Sequence, residues 1–250
     1  MKEKVMLIAG CSHTAGSEID GNMDSLSNRQ NSYGNQLAKR LGYRPINIAI
    51  CGFTNSGIAR SVLDWFHSVD YSNLEVFTLI GWSDSIRIEA AFEFPTWYNE
   101  GSAKYADWFS PSHSDFLQIN LHNKSNFNER ERQTQNDYRV FAVKRPEYME
   151  ITSVNLVLQM QYFLKSVGST YLMTNTGGMF TKEYNKYLQH YFKFIDASRY
   201  HKFDQFEEAF YPKYKNLGYK NPLAQYGHHN LEVHTLYMEQ LYNFIMENKT

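Results

Sequence analysis

The sequence predicts an α/β protein, a three-layer α/β/α sandwich around a mostly parallel sheet, and three observations carry that prediction. Short apolar runs at residues 5–9, 46–50, 75–81 and 170–175 alternate with stretches whose apolar residues recur at helical spacing. Strands separated by helices make βαβ units with right-handed crossovers. The runs also end in polar loops rich in Gly, Ser, Asn and Asp, and in open α/β sheets the crevice beyond the carboxyl ends of the strands is where ligands bind. A chain of 250 residues fits one domain. It buries about 70–75% of its unfolded surface, enough for a core without staples.

The first run, Val5-Met6-Leu7-Ile8-Ala9, is continuously apolar, as expected of a strand buried on both faces, and it leads into Gly10-Cys11-Ser12-His13-Thr14-Ala15-Gly16. Residues 17–31 are polar and read as a surface loop. Tyr33, Leu37, Ala38 and Leu41 mark a helix over 32–41 that Gly42 stops. Residues 46–50 form a second strand, ending at Cys51-Gly52-Phe53-Thr54-Asn55. Ile58, Val62, Leu63, Trp65, Phe66 and Val69 mark a second helix, and residues 75–81 a third strand, ending at Trp82-Ser83-Asp84.

Periodicity breaks between residues 91 and 146, which read as an aromatic-rich, partly helical insertion after the third strand, placed as a lid or loop near the site. A long helix over 149–167 precedes a fourth strand at 170–175. A further helix spans 181–194, a short fifth strand falls near 194–196, and an amphipathic helix over 231–246 closes the chain.

Lys and Arg number 25 against 26 Asp and Glu, with no basic run, so nucleic acid is not an expected partner. No apolar run approaches the ~18 residues of a membrane span, so no membrane partner is expected. Leu7-Ile8-Ala9-Gly10-Cys11 imitates a lipoprotein cleavage site, but its apolar segment is shorter than the roughly 7–15 residues of a signal peptide core. Cys11 and Cys51 read as buried thiols, and a cytoplasmic location is the expectation. No cofactor is expected. The first loop lacks the Gly-x-Gly-x-x-Gly or Lys-Ser/Thr of a phosphate cradle, and His228, His229 and His234 have no acidic ligand at a recognised spacing.

Gly10-Cys11-Ser12-His13-Thr14-Ala15-Gly16 resembles the first block of the SGNH/GDSL hydrolases, Gly-Asp-Ser-x-Thr-x-Gly, with cysteine at the aspartate's place. Asn47 and Gly52-Phe53-Thr54-Asn55 resemble the second block and Gly81-Trp82-Ser83-Asp84 the third. His228-His229-Asn230-Leu231-Glu232-Val233-His234 resembles the last. The resemblance implies an SGNH/flavodoxin-like sheet and an esterase acting through an acyl-Ser12 intermediate, with His228 as general base; His229 is the alternative imidazole. It implies an oxyanion site from the Ser12 and Gly52 N–H groups. Ser83 stands at the family's asparagine, and Asn55 is a substitute donor. Gln225 stands where the family has the acid that orients the histidine. A Ser-His dyad held by a backbone carbonyl, or an acid borrowed from Asp84 or Asp196, remain open. The implied substrate is a small-molecule or carbohydrate ester, with an acyltransferase and an inactive binding protein as alternatives.

Overall fold

The computed structural model describes residues 2–91, 105–108, 116–119, 129–179 and 185–248. Strand β1 (Glu3–Gly10) is central, pairing in parallel with β2 (Arg44–Asn47) on one side and β3 (Leu74–Trp82) on the other. Beyond β3 lie β6 (Thr170–Asn175) and β7 (Tyr200–His201), giving a five-stranded, all-parallel sheet in the order β2-β1-β3-β6-β7. The α/β class and the parallel sheet agree with the expectation.

The β1 sequence explains why it is central. Val5, Leu7 and Ala9 face one core, with residues of α4 (Asn55–Ser68) and α6 (Pro146–Ser166). Met6 and Ile8 face the other, with α3 (Tyr33–Arg40) and α9 (Leu231–Glu247). A strand covered on both faces must be apolar at every position, because alternation would put polar groups into one core. Helices on both faces are consistent with the expected three layers.

Several boundaries differ from the expectation. The second strand is β2, two residues earlier than expected; the Ile48 and Ile50 N–H groups still bond the Ile8 and Gly10 carbonyls, at 2.8 and 3.1 Å. The fifth strand is not at 194–196 but at Tyr200–His201, because residues 194–199 turn through a 3-10 segment, Ala197–Arg199. Residues 17–31 are not simply a surface loop. They contain α2 (Leu26–Asn31) and bury Ser17, Glu18, Asn28 and Arg29. The Arg29 guanidinium binds both Asp24 carboxylate oxygens at 3.0 Å and donates to the Ala49 carbonyl at 2.9 Å, tying this segment to the end of β2.

Within 91–146, β5 (Phe116–Ile119) pairs antiparallel with β4 (Ile88–Ala91), and α5 (Glu129–Lys144) is helical. The rest of the expected lid, apart from residues 105–108, lies outside the described residues, as does the start of the helix expected at 181–194, seen as α7 (Asn185–Phe192). Among the described residues no helix is long and apolar enough to cross a membrane.

Two glycines let the strand ends approach the first loop. A Cβ on Gly10 would lie 2.1 Å from Thr14 Oγ1, and one on Gly81 2.3 Å from the same atom and 2.5 Å from the Tyr33 hydroxyl. Thr14 and Tyr33 hydrogen-bond at 2.9 Å across this gap. Gly81→Ala is therefore expected to destabilise the fold by about 1–3 kcal/mol through overpacking, read as a lower midpoint in denaturant unfolding; an unchanged midpoint would contradict the close packing.

Candidate active site

After Gly10 the chain turns through Cys11 into α1 (Ser12–Ala15), a single helical turn closed by Gly16 at φ +83°. Ser12 is the first residue of that turn, 4% exposed. Among the described residues its Oγ has no hydrogen-bond partner, and the turn holds it through its carbonyl, which accepts the Ser17 N–H at 2.9 Å.

Against the loop that follows β1, residues 221–228 lead into α9. Asn230 caps that helix, its Oδ1 accepting the Val233 N–H at 3.2 Å, which fixes where His228 and His229 leave the loop. Both imidazoles are buried. His228 Nδ1 lies 2.6 Å from Glu18 Oε2. The same carboxylate accepts the backbone N–H groups of Gln225 at 2.7 Å, Tyr226 at 3.0 Å and His228 at 3.4 Å. Glu18 is 1% exposed and adopts φ +62°, left-handed backbone that a β-carbon disfavours.

This corrects the expectation for the acid. It is neither Asp84 nor Asp196, and no backbone carbonyl takes its place: the carboxylate on His228 is Glu18, from the first loop. Asp84 instead accepts the Gly178 N–H at 2.6 Å and pairs with Arg87 at 3.3 Å, and Asp196 pairs with Lys165 at 3.1 Å. Gln225 contributes its backbone N–H to Glu18, while its side chain is exposed. The sequence carried one usable signal: Glu18 lies in the loop that follows the first strand, at the same sheet edge as Ser12.

Charge in this cluster is ordered by burial and by that carboxylate. Burial raises the Glu18 carboxyl, but the His228 hydrogen bond and the loop N–H groups outweigh it and hold the group below its ordinary range. Burial pushes His228 below its ordinary value, and Glu18 opposes that. His229, its Nε2 3.4 Å from the Tyr211 carbonyl, is lowered by burial. His234, whose Nδ1 accepts the Tyr33 N–H at 3.2 Å, is pushed by burial down to about 3.

The expected oxyanion residues fall into two groups. Gly52 sits in the turn after β2 at φ +81°. Asn55 and Ser83 meet each other: Asn55 Oδ1 accepts the Ser83 N–H at 2.8 Å, and Asn55 Nδ2 donates to the Ser83 carbonyl at 3.3 Å and to Ser153 Oγ at 3.2 Å. Asn55 thus splices the loops after β2 and β3, and its amide hydrogens are committed there. Among the described residues Ser83 Oγ is buried without a hydrogen-bond partner. Asn47 ties Asn35 to the end of β2, its Nδ2 2.8 Å from Asn35 Oδ1.

The chain gives no significant match to a protein-family model, to a curated protein or to a solved structure. Its site therefore rests on its own geometry. No group of three or more His, Cys, Asp or Glu side chains is arranged to hold a metal ion among the described residues.

The buried imidazoles make stability fall with acid. A histidine whose folded pKa is depressed takes its proton more readily when unfolded, so protons favour the unfolded chain as pH drops below about 6.5. His201, pushed by burial down to about 4, and His234, at about 3, both refuse protons through that window. Each contributes a slope approaching about 1.4 kcal/mol per pH unit. Denaturant titrations from about pH 7 to about pH 5 should show this decline, and a flat profile would contradict it.

Proposed function

We propose that the chain is a serine ester hydrolase of SGNH type, in which Ser12 is the nucleophile, His228 the general base and Glu18 the acid that orients it. The observation that carries this reading is the 2.6 Å contact between the buried Glu18 carboxylate and His228 Nδ1. A carboxylate on Nδ1 fixes the tautomer with the proton on that nitrogen, leaving the Nε2 lone pair to accept a proton, and it stabilises the imidazolium formed when it does. The loop that supplies this carboxylate also supplies Ser12, whose hydroxyl has no competing partner among the described residues. The strand order, 2-1-3-4-5 in sequence terms, is that of flavodoxin-like sheets, whose ligand crevice lies at the carboxyl edge.

In the proposed reaction Ser12 Oγ attacks the ester carbonyl carbon while His228 Nε2 takes the hydroxyl proton. The tetrahedral oxyanion is met by the backbone N–H groups of Ser12 and Gly52, the donors that the SGNH resemblance suggests. Collapse breaks the bond to the alkoxy oxygen, and His228 returns its proton to that oxygen as the alcohol leaves. A water, deprotonated by His228, then attacks the acyl carbon, and the serine leaves with the proton from His228. Small acyl groups on a carbohydrate or another small alcohol are the proposed substrates. His229, with its Nε2 directed to the Tyr211 carbonyl, is the less suited base.

Release of p-nitrophenol from p-nitrophenyl acetate, with fluorophosphonate labelling alongside, tests the reading. Wild type should turn over and label; Ser12→Ala should do neither. If wild type neither labels nor exceeds Ser12→Ala, the hydrolase reading fails and a binding role replaces it.

Glu18→Gln should lower kcat by roughly 10²–10⁴, the scale seen when an orienting carboxylate is neutralised. The acid limb of kcat/KM should have its midpoint below about 6.5, because burial holds His228 under its ordinary value. In Glu18→Gln that limb should move lower still, since the carboxylate is what raises the imidazole. A limb that stays in place would separate Glu18 from the base.

A further inference from the structure

The nucleophile's chain neighbour, His13, has no role in the proposed reaction, yet it stands among the groups that perform it. Its ring centroid is 5.0 Å from that of His228, the planes inclined at 58°. On its other contacts it stacks with Tyr211 at 5.1 Å and 30°, and meets Phe210 at 5.6 Å and His229 at 6.4 Å. Nδ1 of His13 is buried and has no hydrogen-bond partner among the described residues, whereas the residue as a whole keeps partial exposure. The Tyr211 and Phe210 rings back His13, and His13 in turn backs the His228 ring that Glu18 grips.

We propose that His13 is a positioning residue, the wall against which the His228 ring is held and shielded from water while Glu18 fixes its Nδ1. This deepens the hydrolase reading and rests on it for its catalytic consequence. A single hydrogen bond at Nδ1 leaves the His228 imidazole free to swing about that bond. Contact from His13, itself clamped against Tyr211, removes that freedom and keeps Nε2 in one place. The two residues come from α1 and from the loop before α9, so the wall links the nucleophile's turn to the base's loop.

The electrostatic surroundings suit the role. The charged or titratable groups acting on His228 and His13 are Glu18 from the first loop, Arg87 from the loop after β3, the neighbouring His229, and His234 from α9. Burial comes first and coupling to His228 second in holding His13 well below its ordinary value. His13 is thus neutral at neutral pH, and a proton entering the cluster goes to His228, which alone among these imidazoles has a carboxylate on it. A second charged imidazole at this distance would oppose the proton transfer from Ser12; a neutral one does not.

The test uses the full chain with His13→Ala and His13→Phe, the second keeping a flat ring on the wall without nitrogens. Two readouts are taken: the rate of fluorophosphonate labelling at Ser12, and the NMR titration of the His228 imidazole, which needs no catalytic activity. Thermal melts confirm that both variants are folded. His13→Ala should slow labelling by about 10–100-fold, the scale of a base displaced by about 1 Å. It should also raise the His228 titration by at least about half a pH unit, because water reaches the ring.

His13→Phe should recover most of the labelling rate and keep the His228 titration low. Wild-type behaviour of His13→Ala in both readouts would overturn the proposal. Equal loss of labelling in both variants would overturn it as well, since the nitrogens rather than the wall would then matter. If wild type does not label at all, the hydrolase reading fails, while the His228 titration still decides whether His13 shields that ring.

Discussion

The Glu18 carboxylate does two things at once, and the join between the first loop and the loop before α9 depends on their coincidence. It satisfies backbone N–H groups of Gln225, Tyr226 and His228, in a loop with no helix or strand to satisfy them. It also holds His228 Nδ1. Removing a carboxylate from water is expensive unless hydrogen-bond donors replace the water, and here a protein segment supplies them. The anion is stabilised by the loop, and the loop is ordered by the anion. The left-handed backbone at residue 18 fits this account. Glycine would adopt φ +62° without strain, but only a carboxylate reaches the amides, so a steric cost of about 1–2 kcal/mol is offset by several charge-assisted bonds.

The remaining loops at the carboxyl edge are spliced by the same kind of device, a side chain bonding to another segment's backbone. Arg29 bonds the Ala49 carbonyl, Asn55 pairs with the backbone of Ser83, Asp84 accepts the Gly178 N–H, and Asn221 donates to the Glu18 carbonyl. Each links a loop to one from a different strand, so the crevice wall is tied laterally as well as by the sheet beneath it. Buried backbone groups need partners. Polar residues in these loops are therefore structural members even where they resemble site residues. Asn55 illustrates this: the sequence suggests it as an oxyanion donor, but its amide joins two loops.

Periodicity in sequence reports which residues meet an apolar core, and it was informative wherever that was the deciding force. Residues 170–175 are read as a strand to the residue, and the continuous apolar run of β1 marks the central strand buried on both faces. The same signal is silent on polar segments that are buried through hydrogen bonds. Residues 17–31 have the composition of a solvated loop, yet Glu18 and Arg29 are buried because they bond groups from elsewhere in the chain, and Asn28 because it bonds the Asp20 N–H and the Asn22 carbonyl within the segment. The resemblance in sequence places an acid three residues before His228, where Gln225 stands. Fold closure brings the first loop there instead, across a separation of 210 residues that no local pattern encodes. The short β7 was misplaced for a related reason: two residues carry too little pattern to register.

Several of the costs that the fold accepts lie at this edge. Among the described residues, His13 Nδ1, Ser17 Oγ, Trp82 Nε1 and Ser83 Oγ are buried without hydrogen-bond partners and Glu18 holds left-handed backbone, all in or beside the loops that follow β1 and β3; Tyr171, His201 and Lys202 carry such costs elsewhere. Individually such features cost about 1–3 kcal/mol, which a domain tolerates only where surrounding packing over-determines the geometry. The two cores, filled from α4 and α6 on one face and α3 and α9 on the other, supply that packing. Strain of this kind at the strand ends is not required by the apolar framework. The lateral ties between loops are what let the Glu18 carboxylate and the His228 imidazole, 210 residues apart, hold one relation, because the backbone on either side of the contact is fixed by bonds to its neighbours.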